Sequence, residues 1–194
     1  MKQQLLLSLV VICFVSQLNA QNNEIRANLG LLTTADIGSI FEDLLVRTIT
    51  IGGYSTDDAT SLGAIGLEYW HSPSDRLKIG GLLSLQKIDK EVFFTGNKVG
   101  DITDNYYTIL PQISYEFVQA NWIRLYSGVG LGLTIWEQQL KSDDPKLTDG
   151  KASDVLFNFH LNAIGARVGN TFGASLELGF GAKGIINAGL SYRF

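Results

Sequence analysis

The stretch GIINAGLSYRF, at residues 184–194, decides the fold that we expect for this chain. From Ile186 to Phe194 every second residue is apolar, and polar residues or glycine occupy the positions between them. Successive side chains of a β-strand point to opposite faces, so this alternation predicts a strand with one apolar and one polar face. Asn187 and Arg193 should then lie on the face opposite to the apolar set.

The same period of two recurs along the chain and predicts eight strands. Seven of them lie near residues 24–32, 61–71, 76–88, 105–118, 122–136, 154–167 and 171–180, and the quoted stretch is the eighth. Short connections at 72–75, 119–121, 169–170 and 181–184 contrast with long ones at about 33–60, 89–104 and 137–153. Tight turns at one end and long loops at the other are typical of membrane barrels. We therefore predict an all-β fold, an eight-stranded antiparallel up-and-down transmembrane β-barrel.

The polar face carries the few charges of the predicted strands. We predict that four acids and four bases form a charge network in the barrel interior: Glu24, Arg26, Glu68, Lys78, Glu116, Arg124, Glu177 and Arg193. Buried charges are tolerable only when they are paired, and the tight turns predict the pairs Glu68–Lys78 and Glu116–Arg124. Large aromatic side chains should fill the rest of the interior, among them Trp70, Trp122, Tyr126 and Trp136. The apolar face should meet lipid, with aromatic residues near both ends.

The first 20 residues have the pattern of an export signal. Lys2 precedes an apolar stretch from Leu5 to Val15, and Ala20 supplies a small residue before a cleavage point. The pattern predicts a signal peptide at 1–20 and one barrel domain at 21–194. Without Lys2, 14 basic and 19 acidic residues remain, a net charge of −5, which argues against nucleic-acid binding. No apolar run of about 18 residues follows residue 20, so the sequence predicts no transmembrane helix.

Taken together, the export signal, the eight alternating strands, the glycine-rich polar face and the closing AGLSYRF resemble the small eight-stranded outer-membrane β-barrel proteins of Gram-negative bacteria. OmpX-like and OmpA-transmembrane-domain-like barrels are the types that it is most similar to. The resemblance implies that Tyr192 and Phe194 form a signal for the outer-membrane insertion machinery. It also implies a cell outer-membrane location, contact with lipid and lipopolysaccharide, and periplasmic chaperones during biogenesis. Residues 34–47 depart from the leanest members, because their helical spacing of apolar residues predicts a short amphipathic helix.

Residues that could carry chemistry are few. His71 is predicted at a turn and His160 in the interior, at different depths, so a metal pair is not expected. The single cysteine, Cys13, lies within the predicted signal peptide. Counted together with the flanking residues Lys87 and Asp154, the three long loops hold 14 of the 19 acidic residues and seven bases, a net charge of −7. This pattern indicates a solvated outer surface, with divalent-cation bridging to lipopolysaccharide as the alternative.

The sequence therefore predicts a structural or surface-interaction role for a monomeric outer-membrane protein with a filled interior. It predicts no enzyme activity, no cofactor and no metal. Three alternatives stay open: a narrow cation-preferring channel gated by the two predicted ion pairs, a lipid A-modifying enzyme that uses His160, and a soluble lipocalin-like binder.

Overall fold

The computed structural model describes residues 22–39, 54–56, 59–94, 97–142 and 149–194. The described part of the chain is nearly all strand, with one helical turn at 34–39. Its strands are β1 (Asn23–Leu31), β2 (Tyr54–Thr56), β3 (Thr60–Ser61), β4 (Ala64–His71), β5 (Leu77–Phe94), β6 (Asn97–Gln119), β7 (Ile123–Ser142), β8 (Gly150–Gly169), β9 (Phe172–Gly181) and β10 (Ile186–Arg193). No helix in the described part of the chain is long and apolar enough to span a membrane.

Eight of these strands form a closed antiparallel ring. Each long strand pairs with the next along the chain, and β1 pairs on one side with β4 and on the other with β10. The closing pair runs in register from Glu24 opposite Arg193 to Leu31 opposite Ile186. The short strands β2 and β3 pair with β5 beyond the end of β4. The structure confirms the predicted all-β class, the up-and-down order and the ring of eight strands.

The connections differ from the prediction at one end of the ring. The tight turns after β4, β6 and β8 are present as predicted, but most of 89–104 and 137–153 is strand rather than loop. There β5 to β8 continue as long hairpins held by backbone hydrogen bonds, which form without a continuous apolar face. Of the predicted helix at 34–47, residues 34–39 are helical and 40–47 lie outside the described residues, as does the predicted signal peptide at 1–20.

The distribution of side chains is inverted relative to that of an ordinary globular domain. Among the described residues, 25 polar or charged residues are buried against 8 apolar ones. The predicted outward set is confirmed: Phe172 is 75% and Leu190 is 72% exposed, whereas Asn187 is buried. Leu82, Leu110 and Ala182 form the apolar cluster inside the ring. The ring therefore packs its polar faces inward and turns its apolar faces outward.

Candidate functional site: a buried charge network inside the ring

Four glutamates from four different strands lie at the centre of the ring interior. Glu24 lies on β1, Glu68 on β4, Glu116 on β6 and Glu177 on β9, and each is almost completely buried. They face one another because each occupies an inward position in its strand. The register also sets Arg26 opposite Glu68, which brings a base between these acids. The interior is therefore built around a shared set of carboxylates.

The carboxylate of Glu24 is the most connected group of this network. Its Oε1 lies 3.0 Å from Arg26 Nη2 and 3.3 Å from Arg167 Nε. Its Oε2 lies 2.8 Å from Lys78 Nζ and 2.9 Å from Arg193 Nε. Four bases from four strands thus converge on one carboxylate, which links β1, β5, β8 and β10 across the interior.

Glu68 and Glu177 form a second centre with Lys183. Lys183 Nζ lies 2.6 Å from Glu68 Oε1 and also pairs with Glu177 Oε2. Arg26 Nη1 lies 2.6 Å from Glu177 Oε1, and the Tyr126 hydroxyl donates a 2.8 Å hydrogen bond to the same oxygen. Arg26 is therefore shared between this centre and the one around Glu24.

Glu116 completes the network near the turns. Its Oε1 accepts contacts from Lys78 at 2.9 Å and Arg193 at 3.2 Å, and its Oε2 lies 2.8 Å from Arg124 Nη1. The predicted pair Glu116–Arg124 is confirmed. The predicted pair Glu68–Lys78 is wrong, because the register places Glu68 opposite Leu82, and Lys78 reaches Glu24 and Glu116 instead.

All eight residues predicted for the network take part in it, but the sequence analysis missed two bases. Arg167 was overlooked because a register shift between Asn162 and Ile164 exchanges the faces of β8, so that Arg167 points inward. Lys183 lies in the β9–β10 hairpin, which was expected to be a plain turn. With these two, six bases meet four acids, so the predicted balance of four and four is also wrong.

The β9–β10 hairpin reaches the network because it turns into the ring. Residues 181–184 are all buried, and Gly181 and Gly184 have φ angles of 130° and 87°. These angles lie in the left-handed region that glycine adopts without a steric penalty. The sequence signal was therefore present in the GAKG stretch, as two glycines that flank a lysine.

The predicted aromatic filling is correct in part. Trp70 is buried, with its Nε1 donating to Glu68 at 2.7 Å, and Tyr126 is buried beside Arg26. Trp136 points inward and donates to Asp104 at 2.9 Å. Trp122 is 62% exposed because it lies in the turn before β7, so its predicted interior position is wrong.

A small polar cavity of about 10 Å³ lies beside this network. His160, Gln112 and Asn162 line it, and their buried atoms Nε2, Nε2 and Oδ1 have no hydrogen-bond partner among the described residues. A space of this size with several polar partners suits one water molecule. Among the described residues no serine or carboxylate hydrogen-bonds to His160, whose Nδ1 accepts from the backbone of Lys183 at 3.4 Å.

Aromatic contacts lie near the tight turns at one end of the ring, and ion pairs lie on the long hairpins at the other end. Near the turns, Tyr192 contacts Phe172 at 5.0 Å and Phe194 at 5.8 Å between ring centroids, on the outer face. His71 lies there too, with Nδ1 3.0 Å from Asn23 Oδ1. On the long hairpins, hydrogen bonds to Asp101 and Glu91 raise the pKa of Lys98 above its ordinary value.

Within the described ranges, no group of three or more His, Cys, Asp or Glu residues is placed to hold a metal ion. The ion pairs of the network join residues from all eight strands of the ring. No protein-family model matches this chain, and no curated protein matches it.

Proposed function

We propose that this protein is an integral β-barrel of the Gram-negative outer membrane, with a structural or surface-interaction role and a closed interior. The observation that carries the proposal is the inverted distribution of side chains around the ring. A spanning sheet must close on itself so that lipid meets no unpaired strand edge, and its outer face must be apolar. Along the length of β1 and β10, the ring closure between these two strands and the exposed apolar faces meet both requirements.

The outer face would be unfavourable in water. Among the described residues, 38 large apolar side chains are exposed. Soluble monomers rarely expose a continuous apolar patch larger than a few hundred Å². The interior cannot serve as a compensating core, because its largest buried groups include Arg26, Arg167 and Glu68. This argues against the soluble lipocalin-like alternative, in which the apolar faces would turn inward.

A structural role is supported better than conduction. The ion-paired network and the cluster of Leu82, Leu110 and Ala182 occupy successive levels of the interior. An eight-stranded ring has room for little more than its own side chains. The six bases against four acids also disfavour a preference for cations.

The remaining parts of the proposal follow from the resemblance described above. Tyr192 and Phe194, on the outer face near the turns, are proposed as the signal for the insertion machinery. Beyond the exposed apolar residues Tyr107, Ile135 and Val155, the long hairpins of β5 to β8 would extend out of the membrane and present a polar surface to lipopolysaccharide and solvent. The protein would act there as a monomer without a cofactor.

Cell fractionation tests this proposal. The protein should sediment with outer membranes, resist extraction by salt and alkaline carbonate, and run faster on a gel when it is not boiled, because the closed ring survives the detergent. A matched control is the variant Leu133→Glu/Ile109→Glu, which places charges on the proposed lipid face and should lose the fast-running form. Recovery of the wild-type protein in the soluble periplasmic fraction, without a heat-dependent gel shift, would contradict the proposal.

A further inference from the structure

The wall of the ring has a notch next to β8. Residues 150–159 of β8 pair with β7 on one side, whereas pairing with β9 begins only at His160, opposite Gly181. Across the notch, β1 ends at Leu31 and the chain enters the helical turn. Among the described strands, no partner covers the second edge of β8 over 150–159. The inward turn of the β9–β10 hairpin explains the gap, because this hairpin ends where its neighbours continue.

A cavity of about 250 Å³ lies behind the notch. Its lining joins inward residues such as Thr108 and Thr134 to residues at the edge of the wall, namely Leu156, Phe157 and Phe159. Phe157 is 70% exposed on the outer face, so the cavity is continuous with the apolar surface of the ring. It therefore has a lateral mouth as well as a polar inner wall.

The residues that line the cavity are uncharged. Among the described residues, no Asp, Glu, Lys, Arg or His lines the cavity. Its hydroxyl and amide groups largely satisfy one another: Thr108 and Thr134 are 2.8 Å apart, and Asn158 Nδ2 donates to Thr134 at 2.9 Å. An apolar chain can enter such a site without leaving buried polar groups unpaired, and an ionised head group would find no counter-charge.

The inner end of the cavity is closed. Ala182 lines the cavity and also belongs to the buried apolar cluster with Leu82 and Leu110, and the next residue, Lys183, enters the charge network. A molecule that enters from the side therefore stops there. The volume lies just below the range of about 300–1,000 Å³ that is usual for ligand pockets, which suits one hydrocarbon chain rather than a two-chain lipid.

We propose that this cavity binds a single hydrocarbon chain carrying an uncharged hydrogen-bonding head group, which enters through the notch between β8 and the 32–39 segment from the surrounding lipid. The inference rests on the proposed membrane function, since the lateral mouth is useful only where lipid surrounds the ring. The hydroxyl lining would face the head group, and Leu156, Phe157 and Phe159 would contact the chain.

Photolabelling in lipid nanodiscs tests the inference. The probe is a diazirine-bearing hexadecanol at trace concentration, and labelled positions are mapped by mass spectrometry. Wild-type protein should be labelled on its outer face and also around Ala182, which is buried inside the ring. Thr108→Trp should reduce the inner labelling by about tenfold, a loss of about 1.4 kcal/mol in binding, because the indole would fill the space beside the hydroxyl lining that the head group of the probe would occupy. The matched control, Ile109→Trp, lies at the next position of β6 on the outer face and should leave the inner labelling unchanged.

A reversible latch gives a second, independent measurement. Thr34 Oγ1 and Asn158 Oδ1 lie 3.4 Å apart across the notch, so cysteines at both positions, in a Cys13→Ser background, can be joined by a short thiol-specific cross-linker that forms reducible disulfides with both. Cross-linking should remove the inner labelling and reduction should restore it, with outer labelling constant throughout. Inner labelling that is absent in the wild type, or that survives both Thr108→Trp and the closed latch, overturns the inference. Loss of outer labelling would instead contradict the proposed membrane function.

Discussion

Replacing Lys183 by methionine gives a sharp test of the network, because this side chain is 2% exposed and bridges two buried carboxylates. Methionine fills a similar volume and removes only the charge. Glu177 would keep Arg26 at 2.6 Å and the Tyr126 hydroxyl, and Glu68 would keep Trp70 at 2.7 Å and Arg26 at 3.5 Å. Removing one partner of a buried ion pair typically costs about 3–5 kcal/mol. The remaining contacts place the expected loss near the lower limit, at about 3 kcal/mol.

The assay is reversible urea unfolding of the protein in lipid vesicles, followed by tryptophan fluorescence. Lys87→Met is the matched control, since Lys87 pairs with Asp89 at 2.8 Å but both side chains are about half exposed; it should change the free energy of unfolding by less than about 1 kcal/mol. Adding Glu68→Gln to Lys183→Met should recover part of the loss, because the added change removes the charge left without its partner. Equal costs for Lys183→Met and Lys87→Met, or a simple sum for the double variant, would refute the reasoning.

Three further predictions concern the interior, assembly and conduction. Gly165→Val should cost about 1–3 kcal/mol in the same assay, because a Cβ at this position would approach the Tyr126 ring to 2.5 Å; an unchanged midpoint would contradict this packing. Phe194→Ala should slow insertion into vesicles more than it lowers the stability of inserted protein, since it removes the stack on Tyr192 from the exposed face; the opposite order would argue against an insertion signal. Planar-bilayer recordings should be silent for the wild type and for Glu116→Gln alike, and discrete channel openings would favour the conducting alternative.

The residues that face outward could be predicted from the sequence, because the face of each residue depends only on the two-residue alternation within its own strand. Along β10 the alternation from Ile186 to Phe194 needs no knowledge of any other strand, and the structure places each residue on the expected side. The same holds for β1, where Ile25 and Leu29 point outward and Arg26 inward. This alternation predicts the correct face along a whole strand unless a bulge interrupts the strand.

Ion-pair partners could be predicted only in part, as for Glu116 and Arg124, because pairing depends on register and on breaks in the period. A single extra residue near Asn162 turns Arg167 inward, and nothing in the local composition marks that position. Lys183 reaches Glu68 only because the chain reverses into the ring at two glycines. The pair Glu68–Lys78 failed for the same reason, since adjacency at a turn does not fix which residues lie opposite each other.

The central claim is that lipid surrounds the outer face of the ring, and spin-label accessibility along β6 tests it most directly. A nitroxide would be placed in turn at the outward positions Ile109 and Ile113 and at the inward positions Thr108 and Gln112, with the protein in lipid vesicles. The account predicts that the outward labels collide often with oxygen and rarely with a water-soluble nickel complex, while the inward labels collide rarely with either. Outward labels that collide more often with the nickel complex than with oxygen would contradict it.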